Sequence, residues 1–344
     1  MKSMTYVGLD VHKKTIAYCV KTRSGKLVKE GEIPATRAEL GAWATGLRRP
    51  WTGALEATLF TGWIYDFLRP QAQALKVAHP AMLKAITASK KKNDRVDAQK
   101  IADLLRCDLL PECYMAPTAI RERRRVLRYR SLVVGEATRM KNKISGLLME
   151  VGAQYNKKKL HGKRYFRGLL AGLEEVPDSV RELLKLSRQS LELFDGLQRG
   201  LADKLSADEQ LAGRVERLKQ IRGVGDVLAL TWALEVGDPA RFGSIRQAIS
   251  YCGLCSAQDN SAGVDKRGPI SKMRNKHLQC MLVEAAQPAP RWNPQLRAVH
   301  ERELKRGNKN RATLAVARKL VAYLLAADKS AKPFEPRPVT MPRP

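Results

Sequence analysis

The chain has 344 residues, a hydrophobic fraction of 44% and a formal net charge of +29. This length accommodates two or three domains, and the hydrophobic content allows them packed cores, which excludes an intrinsically disordered chain. Positive charge in this excess indicates a polyanionic partner, for which nucleic acid is the usual candidate. Composition alone leaves one alternative open, a basic protein with a purely structural role.

The cysteines and the hydropathy pattern indicate the cellular compartment in which the protein works. No apolar run reaches the length of a membrane span, and the first residues do not resemble a secretory signal. We therefore expect a cytoplasmic, nucleoid-associated protein with reduced thiols and no membrane partner. Cys252 and Cys255 form a C-x-x-C pair without a second ligand pair at zinc-finger spacing, so we expect packing residues there and no metal.

The first 112 residues alternate between strand and helix patterns. Short apolar strands are predicted at 5–10, 15–21, 27–33, 53–58 and 75–78. Helices are predicted at 36–47 and 61–68, and a further helix begins near Asp94. Three hairpin-joined strands followed by alternating helix and strand are the order of a ribonuclease-H-like α/β domain. We therefore expect such a domain at 1–112.

Four acidic residues occupy positions that this order brings together. Asp10 ends the first strand, and Glu56 stands in the fourth strand where an apolar residue is expected. Asp94 and Asp97 share one face of a helix. Sites in open sheets form at strand ends, so the four carboxylates are expected to converge. Their mutual repulsion calls for divalent cations, and Mg²⁺, which prefers oxygen ligands, suits a phosphoryl transfer.

Each acid also has a structural explanation when it is taken alone. Asp10 could form a turn, Glu56 could face solvent from an edge strand, and the helix dipole favours an acidic helix start. His12 lies close to Asp10 in the sequence, but a lone histidine is more often a surface or supporting residue than a ligand. The four acids together, in this strand order, favour the magnesium site.

The middle of the chain, residues 113–212, is predicted to be helical and basic. Between 118 and 167 there are 15 lysines and arginines against three acids. Such helices with one apolar stripe are typical of a bundle or coiled coil whose outer face contacts phosphates, and Arg123, Arg124 and Arg125 are candidates for that contact. Interleaved aromatic residues suit stacking on unpaired bases, whereas a solvated charged face is the alternative. A leucine-rich helix after Pro177 has balanced charge, which indicates oligomerisation.

The C-terminal part, residues 213–330, is predicted to be mainly helical. The stretch 218–229 has the form of a helix-hairpin-helix, in which Gly223 and Gly225 allow close approach and helix amides can bind a phosphate. A tight corner between two helices without a ligand is the alternative. Further helices are predicted at 245–251, 276–286, 292–304 and 311–325, before a proline-rich tail at 331–344.

A polar, glycine-rich loop is predicted at 253–272. A serine in a flexible loop near Lys266, Arg267 and Lys272 has what a phosphoryl-transfer nucleophile needs, because cations stabilise the charge that develops on the phosphorus centre. Serines in glycine-rich loops are also common turn formers, and that explanation stays open on the pattern alone.

Short motifs along the chain match, in order and spacing, those of a known family. In the first half they are Gly8-Leu-Asp10-Val-His12, Leu55-Glu56-Ala-Thr58 and Asn93-Asp94-x-x-Asp97-Ala98. In the second half they are Ile221-x-Gly-Val-Gly225, Asp238-x-x-Arg241-Phe242, Tyr251-x-Gly253-Leu254 and Arg267-Gly-x-Ile270-Ser-Lys272. The chain resembles the DEDD transposases of insertion sequences, also described as bridge-RNA-guided recombinases, and the related Piv-type DNA invertases.

This resemblance implies an N-terminal RuvC-like domain that binds Mg²⁺ through the four acids. It implies a C-terminal domain whose serine attacks DNA and forms a phosphoserine intermediate. Counted back from Arg267, the serine of the family falls on Ser261, and Ser256 is the second candidate. The implied partners are donor and target DNA, a structured guide RNA, and further copies of the chain in a dimer or tetramer.

Three other functions remain possible at this stage. The first is a Holliday-junction-type, Mg²⁺-dependent nuclease that uses the four acids and water without a serine nucleophile. The second is a Piv-like DNA invertase that needs no guide RNA. The third is a non-catalytic scaffold that binds nucleic acid. A covalent protein–DNA adduct, a co-purifying RNA and metal binding distinguish these alternatives.

Overall fold

The computed structural model describes residues 4–86, 93–173, 176–261, 263–330, 332 and 334–335. The predicted proline-rich tail at 331–344 therefore lies almost wholly outside the described residues. The chain forms two units, Met1–Thr118 and Ala119–Pro344, and each is described by itself below.

The first unit is built on one mixed sheet. Its strands are β1 (Thr5–Val11), β2 (Thr15–Thr22), β3 (Leu27–Pro34), β4 (Trp51–Glu56) and β5 (Ala74–Ala78). In the described residues they form one sheet in the order β3-β2-β1-β4-β5. The first three strands are antiparallel neighbours, whereas β4 runs parallel to β1, and β5 runs parallel to β4. This arrangement confirms the mixed α/β sheet predicted for the N-terminal region.

Helices cover both faces of this sheet. They are α1 (Arg37–Thr45), α2 (Thr61–Leu68), α3 (Pro80–Ile86) and α4 (Asp94–Arg106). Val7 and Leu9 of β1 share one core with Leu40 of α1 and Ile64 of α2. Because side chains alternate along a strand, Gly8, the residue between Val7 and Leu9, faces the other side, where α4 packs. The central strand is therefore covered on both faces, which explains its almost continuous apolar sequence.

Specific contacts fix α4 on the sheet. The side chain of Asn93 caps the helix by accepting a hydrogen bond from the amide of Arg95 at 3.0 Å. Lys21 Nζ on β2 donates to Asp103 Oδ2 at 2.5 Å. Glu30 on β3 accepts a hydrogen bond from Gln99 Nε2 at 2.6 Å. Polar contacts from two neighbouring strands thus hold the helix along its length.

The second unit is mainly helical, as predicted. Its helices are α5 (Thr118–Glu150), which begins at the last residue of the first unit, α6 (Lys163–Ala171), α7 (Asp178–Ser206), α8 (Glu209–Lys219), α9 (Asp226–Val236), α10 (Ile245–Tyr251), α11 (Lys276–Ala286), α12 (Pro294–Arg306) and α13 (Lys309–Ser330). The helix α9 is buried from Leu228 to Val236 and forms the centre of the largest core. A second core joins α5, α6 and α7 through Ile144, Phe166 and Leu184. No helix in the described residues is long and apolar enough to cross a membrane.

The segment predicted as a loop at 253–272 is instead a β-hairpin. Its strands are β6 (Ser256–Ser261) and β7 (Val264–Ile270), which pair from Ser256 with Ile270 to Ser261 with Val264. Gly263 has φ +81° in the tight turn, a conformation that glycine adopts without strain. The prediction was wrong because the hairpin lacks the apolar alternation of a half-buried strand and is held by backbone hydrogen bonds.

Candidate active site

A glycine on β1 sets how closely the helix α4 approaches the sheet. A Cβ atom added at Gly8 would lie 2.1 Å from the backbone oxygen of Ala98 and 2.5 Å from the nitrogen of Ala102. The two backbones are therefore in direct contact at this position. Asp10 lies on the same face of β1 as Gly8, because alternate residues of a strand share a face. Asp94 lies one helical turn before Ala98, so it is positioned opposite Asp10.

Asp97, the second acid in the first turn of α4, lies on a neighbouring stripe of the helix. Ile101 and Leu105 pack in one buried cluster with Ala54 of β4 and Ala78 of β5. Asp97 lies one turn before Ile101 on the same side of the helix. Glu56 lies two residues after Ala54, on the same face of β4. Asp97, in the first turn of α4, and Glu56, the last residue of β4, therefore lie toward the same edge of the sheet.

The pairing of the parallel strands brings the two strand acids side by side. Leu9 of β1 is in register with Leu55 of β4. Asp10 and Glu56 are the residues that follow this pair, so they occupy adjacent positions at the carboxyl ends of neighbouring strands. The local sequence thus places one acid on each of two strands and two acids on the first turn of one helix.

His12 joins two of these acids directly. Its Nε2 atom lies 3.2 Å from Asp10 Oδ2 and 3.3 Å from Asp94 Oδ2. The three side chains offer ligand atoms that all lie within 4.8 Å of one another. The histidine that the sequence led us to expect as a surface or supporting residue thus contacts two of the predicted acids. The available signal was its spacing, two residues after an acid at the end of a strand.

The electrostatics of the cluster favour a bound cation. Burial raises the pKa of the Asp10 carboxyl above its usual value, and His12 opposes this rise. The carboxylates of Asp94 and Asp97 add to the increase in the pKa of Asp10, so the acids repel one another. Lys100 Nζ lies 3.4 Å from Asp97 Oδ1 and offsets part of the negative charge.

The donor set fits a divalent metal ion. Carboxylate oxygens are the ligands of hard cations such as Mg²⁺, and a cation among them relieves their repulsion. Asp10, Asp94 and His12 are close enough to share one ion. These residues are therefore able to hold a metal of the kind used in phosphoryl transfer.

Two of the arginines predicted to contact nucleic acid have partners within the fold. Arg123 Nη2 donates to Asp208 Oδ1 at 3.1 Å, and its Nε also contacts this carboxylate. Arg124 Nε donates to the backbone oxygen of Leu234 at 2.9 Å. Arg125, in contrast, is exposed. Contact with nucleic acid stays a prediction for all three, and Arg125 is the most accessible of them.

The two glycines of the predicted helix-hairpin-helix differ in their surroundings. They lie in the turn between α8 and α9. Gly223 has φ +102°, and a Cβ atom there would lie 2.9 Å from the Cβ of Ala289. Packing against Ala289 therefore accounts for this glycine. Gly225 precedes α9 and has open space around its Cβ position, so phosphate contact there remains a prediction.

The hairpin carries the remaining predicted residues. Ser261 is the last residue of β6, next to the turn. In the backbone register, Lys266 pairs with Asp259 and Arg267 with Gln258. The side chains of Ser261, Lys266 and Arg267 lie outside the described part of the structure. Lys272 follows β7 and is exposed.

A buried glutamate ties the base of this hairpin to α5. The carboxylate of Glu235 on α9 is fully buried and accepts hydrogen bonds from Arg128 Nε and Nη2 at 2.8 and 2.9 Å. Asn275, which follows the hairpin, donates to Glu235 Oε2 at 2.8 Å. Tyr251, which precedes the hairpin, donates its hydroxyl to the backbone oxygen of Glu235 at 2.9 Å. The Tyr-x-Gly-Leu motif thus has a structural role that its sequence did not reveal.

Known families match both units. A family described as transposase, of the DEDD type of IS110 elements, matches residues 7–152. The transposase IS116/IS110/IS902 family matches residues 215–301. The fold, the acidic cluster and these matches define a transposase, an enzyme that cuts and rejoins DNA. The chain is a DEDD transposase of the IS110/IS116 family of insertion sequences.

Individual relatives agree with this assignment. The chain is 27% identical to y4qE of Sinorhizobium fredii, which is named as a transposase, over 82% of this chain and 70% of the relative. It is 26% identical to the transposase for insertion sequence element IS1111A of Coxiella burnetii, over 83% of this chain and 78% of the relative. It is 23% identical to the transposase for insertion sequence element IS1328 of Yersinia enterocolitica, over 83% and 84%.

Proposed function

We propose that this transposase cuts and rejoins DNA through a phosphoserine intermediate on Ser261, and that its RuvC-like domain binds Mg²⁺ through Asp10, Glu56, Asp94 and Asp97. The metal site is supported by one observation above all. Asp10 and Asp94 both contact His12, and the ligand atoms of the three side chains all lie within 4.8 Å of one another. The serine assignment is supported by the position of Ser261 next to the turn of the hairpin, within the matched transposase segment.

The acids and the serine have different roles in this proposal. Bound Mg²⁺ supplies charge stabilisation at phosphate oxygens. Asp10 and Asp94 hold the ion, and Glu56 and Asp97 complete the negative pocket. His12 orients Asp10 and Asp94 through its contacts at 3.2 and 3.3 Å. Because the serine supplies the nucleophile, the acids do not have to generate hydroxide.

The serine step conserves phosphodiester bonds. Ser261 Oγ attacks the phosphorus, a P–O bond to the serine forms, and the P–O bond to one deoxyribose oxygen breaks. The serine proton is released, and the departing oxygen takes up a proton to become a hydroxyl. In rejoining, a hydroxyl of the second strand attacks the phosphoserine, and the serine oxygen leaves and is protonated again. No oxidant, reductant or nucleotide cofactor is consumed.

Replacing Ser261 by alanine is expected to abolish the covalent protein–DNA adduct and to lower transposition at least about a thousandfold, since loss of a nucleophile removes the reaction path. The adduct is measured by denaturing gels with labelled DNA. Ser256→Ala is the matched control and still forms the adduct. If Ser261→Ala still forms the adduct and Ser256→Ala does not, Ser256 is the nucleophile.

The alternative functions give other results in the same assays. A nuclease that uses water shows no adduct, and its cleavage survives Ser261→Ala. If the protein is a non-catalytic scaffold, the substitution Asp10→Asn leaves transposition unchanged. In our proposal, Asp10→Asn weakens Mg²⁺ or Mn²⁺ binding measured by calorimetry, whereas Ser261→Ala leaves metal binding unchanged.

We further infer that the basic helices of the second unit bind a structured guide RNA. A recess of about 560 Å³ at the start of α6 is lined mainly by cations, together with one tyrosine, and its residues are Lys158, Lys159, Gly162, Lys163, Arg164 and Tyr165. Cations beside an aromatic ring suit a phosphate backbone and an unpaired base. Sequencing of nucleic acid that co-purifies with the protein tests this inference. A discrete RNA supports it, and its absence favours an invertase without a guide.

The proposed oligomer has a candidate contact on α7. Leu183, Leu186, Leu193 and Leu197 are between 44% and 60% exposed, although Leu184 on the same helix is fully buried. The exposed leucines follow heptad spacing, which is typical of helix pairing. Leu183 and Leu197 lie at equal distances from position 190, and Leu186 and Leu193 lie on either side of it, so an antiparallel pair of copies sets Leu183 against Leu197 of the second copy.

An isologous contact sets the same surface of one copy against that of the other, as an antiparallel pairing of this leucine stripe does. We therefore propose a two-fold dimer through α7, which can also be the unit of a tetramer.

Two lysine substitutions on α7 are expected to halve the mass of the protein in solution. The variant Leu186→Lys with Leu193→Lys places like charges in the proposed contact, and light scattering after gel filtration measures the mass. Leu304→Lys on α12 is the control, since Leu304 has comparable exposure, 44%, outside the stripe. An unchanged mass in the double variant would exclude this contact.

A further inference from the structure

A cleft opens at the base of the hairpin, away from its turn. It has a volume of about 660 Å³ and lies between the hairpin and the first half of α13. The hairpin contributes Ser256, Gln258 and Ile270 to its lining. Asn308, Arg311 and Arg318 line the opposite side. A volume of this size accommodates a nucleotide-sized group.

The charge of the cleft is positive on one side. Arg318 Nε donates to the backbone oxygen of Leu254 at 2.8 Å, which fixes the position of its guanidinium group. Arg311 is 60% exposed, and its Nε lies 3.5 Å from Glu303 Oε2. Among the described residues that line the cleft, none is acidic. Two guanidinium groups without a lining carboxylate favour an anionic ligand.

The rest of the lining suits a sugar-phosphate unit. Ser256 and Asn308 offer a hydroxyl and an amide that can bind phosphate or sugar oxygens. Ile270 and Leu314 provide an apolar surface on which a deoxyribose can rest. The cleft therefore combines cationic, hydrogen-bonding and apolar groups, which are the kinds of group that contact a sugar-phosphate backbone.

We propose that this cleft binds one backbone phosphate of a DNA strand at a distance from the phosphate that is cut. The proposal rests on the proposed function, because it takes Ser261 as the residue that meets the scissile phosphate. Ser256 and Ser261 are the two ends of β6, so the cleft lies about 17 Å from the hairpin turn at the rise of an extended strand. The contact fixes the register of the DNA on the hairpin and carries no sequence information.

The chain offers a matched pair of arginines for the test. Arg302 and Arg311 are 59% and 60% exposed, and each contacts the same carboxylate of Glu303. Arg311 lines the cleft, whereas Arg302 is absent from its lining. Arg311→Gln and Arg302→Gln therefore remove the same charge and the same kind of ion pair, but only one of them changes the cleft.

The experiment measures binding of a double-stranded DNA oligonucleotide by fluorescence anisotropy at several salt concentrations. Both substitutions are made in the full-length Ser261→Ala protein, so that no adduct forms. Arg311→Gln is expected to weaken binding several-fold and to reduce the slope of log K against log salt by about 0.9, the value for one phosphate contact. Arg302→Gln is expected to leave that slope unchanged. Thermal melting verifies that both variants are folded.

Two outcomes would overturn the proposal. One is an equal effect of Arg311→Gln and Arg302→Gln on affinity and salt slope. The other is a loss at Arg311 that affects a single-stranded RNA of the same sequence but not the DNA, which would assign the cleft to RNA. The nucleophile is tested separately, because an adduct that persists in Ser261→Ala refutes the serine assignment without changing the binding result at Arg311.

Discussion

Replacing Gly8 by alanine is expected to abolish transposition and to disrupt metal binding, although glycine contributes no side chain to the site. The new Cβ would lie 2.1 Å from the backbone oxygen of Ala98, and no rotamer change relieves a clash between a Cβ atom and a backbone atom. The helix α4 must move away from β1, and Asp94 moves away from Asp10 with it. Overpacking of this kind costs about 1–3 kcal/mol of stability.

Metal titration by calorimetry and a transposition assay measure this effect, and circular dichroism reports whether the protein stays folded. Gly135→Ala on α5 is the control, because a Cβ there meets nothing within 4 Å. Alanine in a helix interior is expected to stabilise the protein by about 0.5–1 kcal/mol relative to glycine. A folded Gly8→Ala protein that binds metal as tightly as the wild type would refute the proposed role of this contact.

Replacing Glu235 by alanine is expected to lower the free energy of unfolding by about 3–5 kcal/mol, the cost of removing one partner of a buried ion pair. Arg128 and Asn275 would both lose the carboxylate to which they donate. Denaturant titration measures the loss. Glu216→Ala is the control, since Glu216 is 68% exposed and pairs with Lys219 at the surface. Exposed pairs contribute at most about 1 kcal/mol.

The contribution of Glu235 also has a predictable pH dependence. Burial by itself raises the pKa of this carboxyl, but hydrogen bonding and charge from Arg128, aided by Asn275 and Arg124, outweigh it and hold the pKa below the usual 4.5. A carboxyl with a lowered pKa stabilises the folded state above pH 4.5, and this stabilisation is lost as the pH falls through the lowered value. The stability difference between wild type and Glu235→Ala should therefore shrink in acid. A difference that is the same at pH 7 and pH 3 would contradict this.

The N-terminal sheet and its acids were accessible from the sequence because their signals are local. Strand β1 reads as an apolar run that ends in Asp10, and α4 begins with an asparagine cap followed by Asp94. The helices α10 and α11 were predicted with the observed bounds for the same reason. The short helix α3, which begins at Pro80, was missed although proline at a first helical position is a known start signal.

Other features depend on contacts between distant residues and could not be predicted. Arg128 and Glu235 are 107 positions apart, so neither residue reveals in the sequence that it pairs with the other. The contacts of His12 with Asp94 likewise depend on how α4 lies against β1. The β6–β7 hairpin has little apolar patterning, and its polar sequence is typical of a loop as well. In each case the sequence pattern was ambiguous, and tertiary packing decided the structure.

Because β1 and α4 are in contact, the geometry of the site depends on which residues of α4 face β1 around the helix axis. Asp94, Ala98 and Ala102 lie on one side of α4 at intervals of four residues. One residue inserted between Asp97 and Ala98 would turn the acids by about 100° around the helix axis relative to the small residues that touch β1. Every acid of the proposed metal site would still be present, yet Asp94 would no longer face Asp10. We expect natural variation in this region to consist of substitutions, with the length of α4 between Asp94 and Ala102 unchanged.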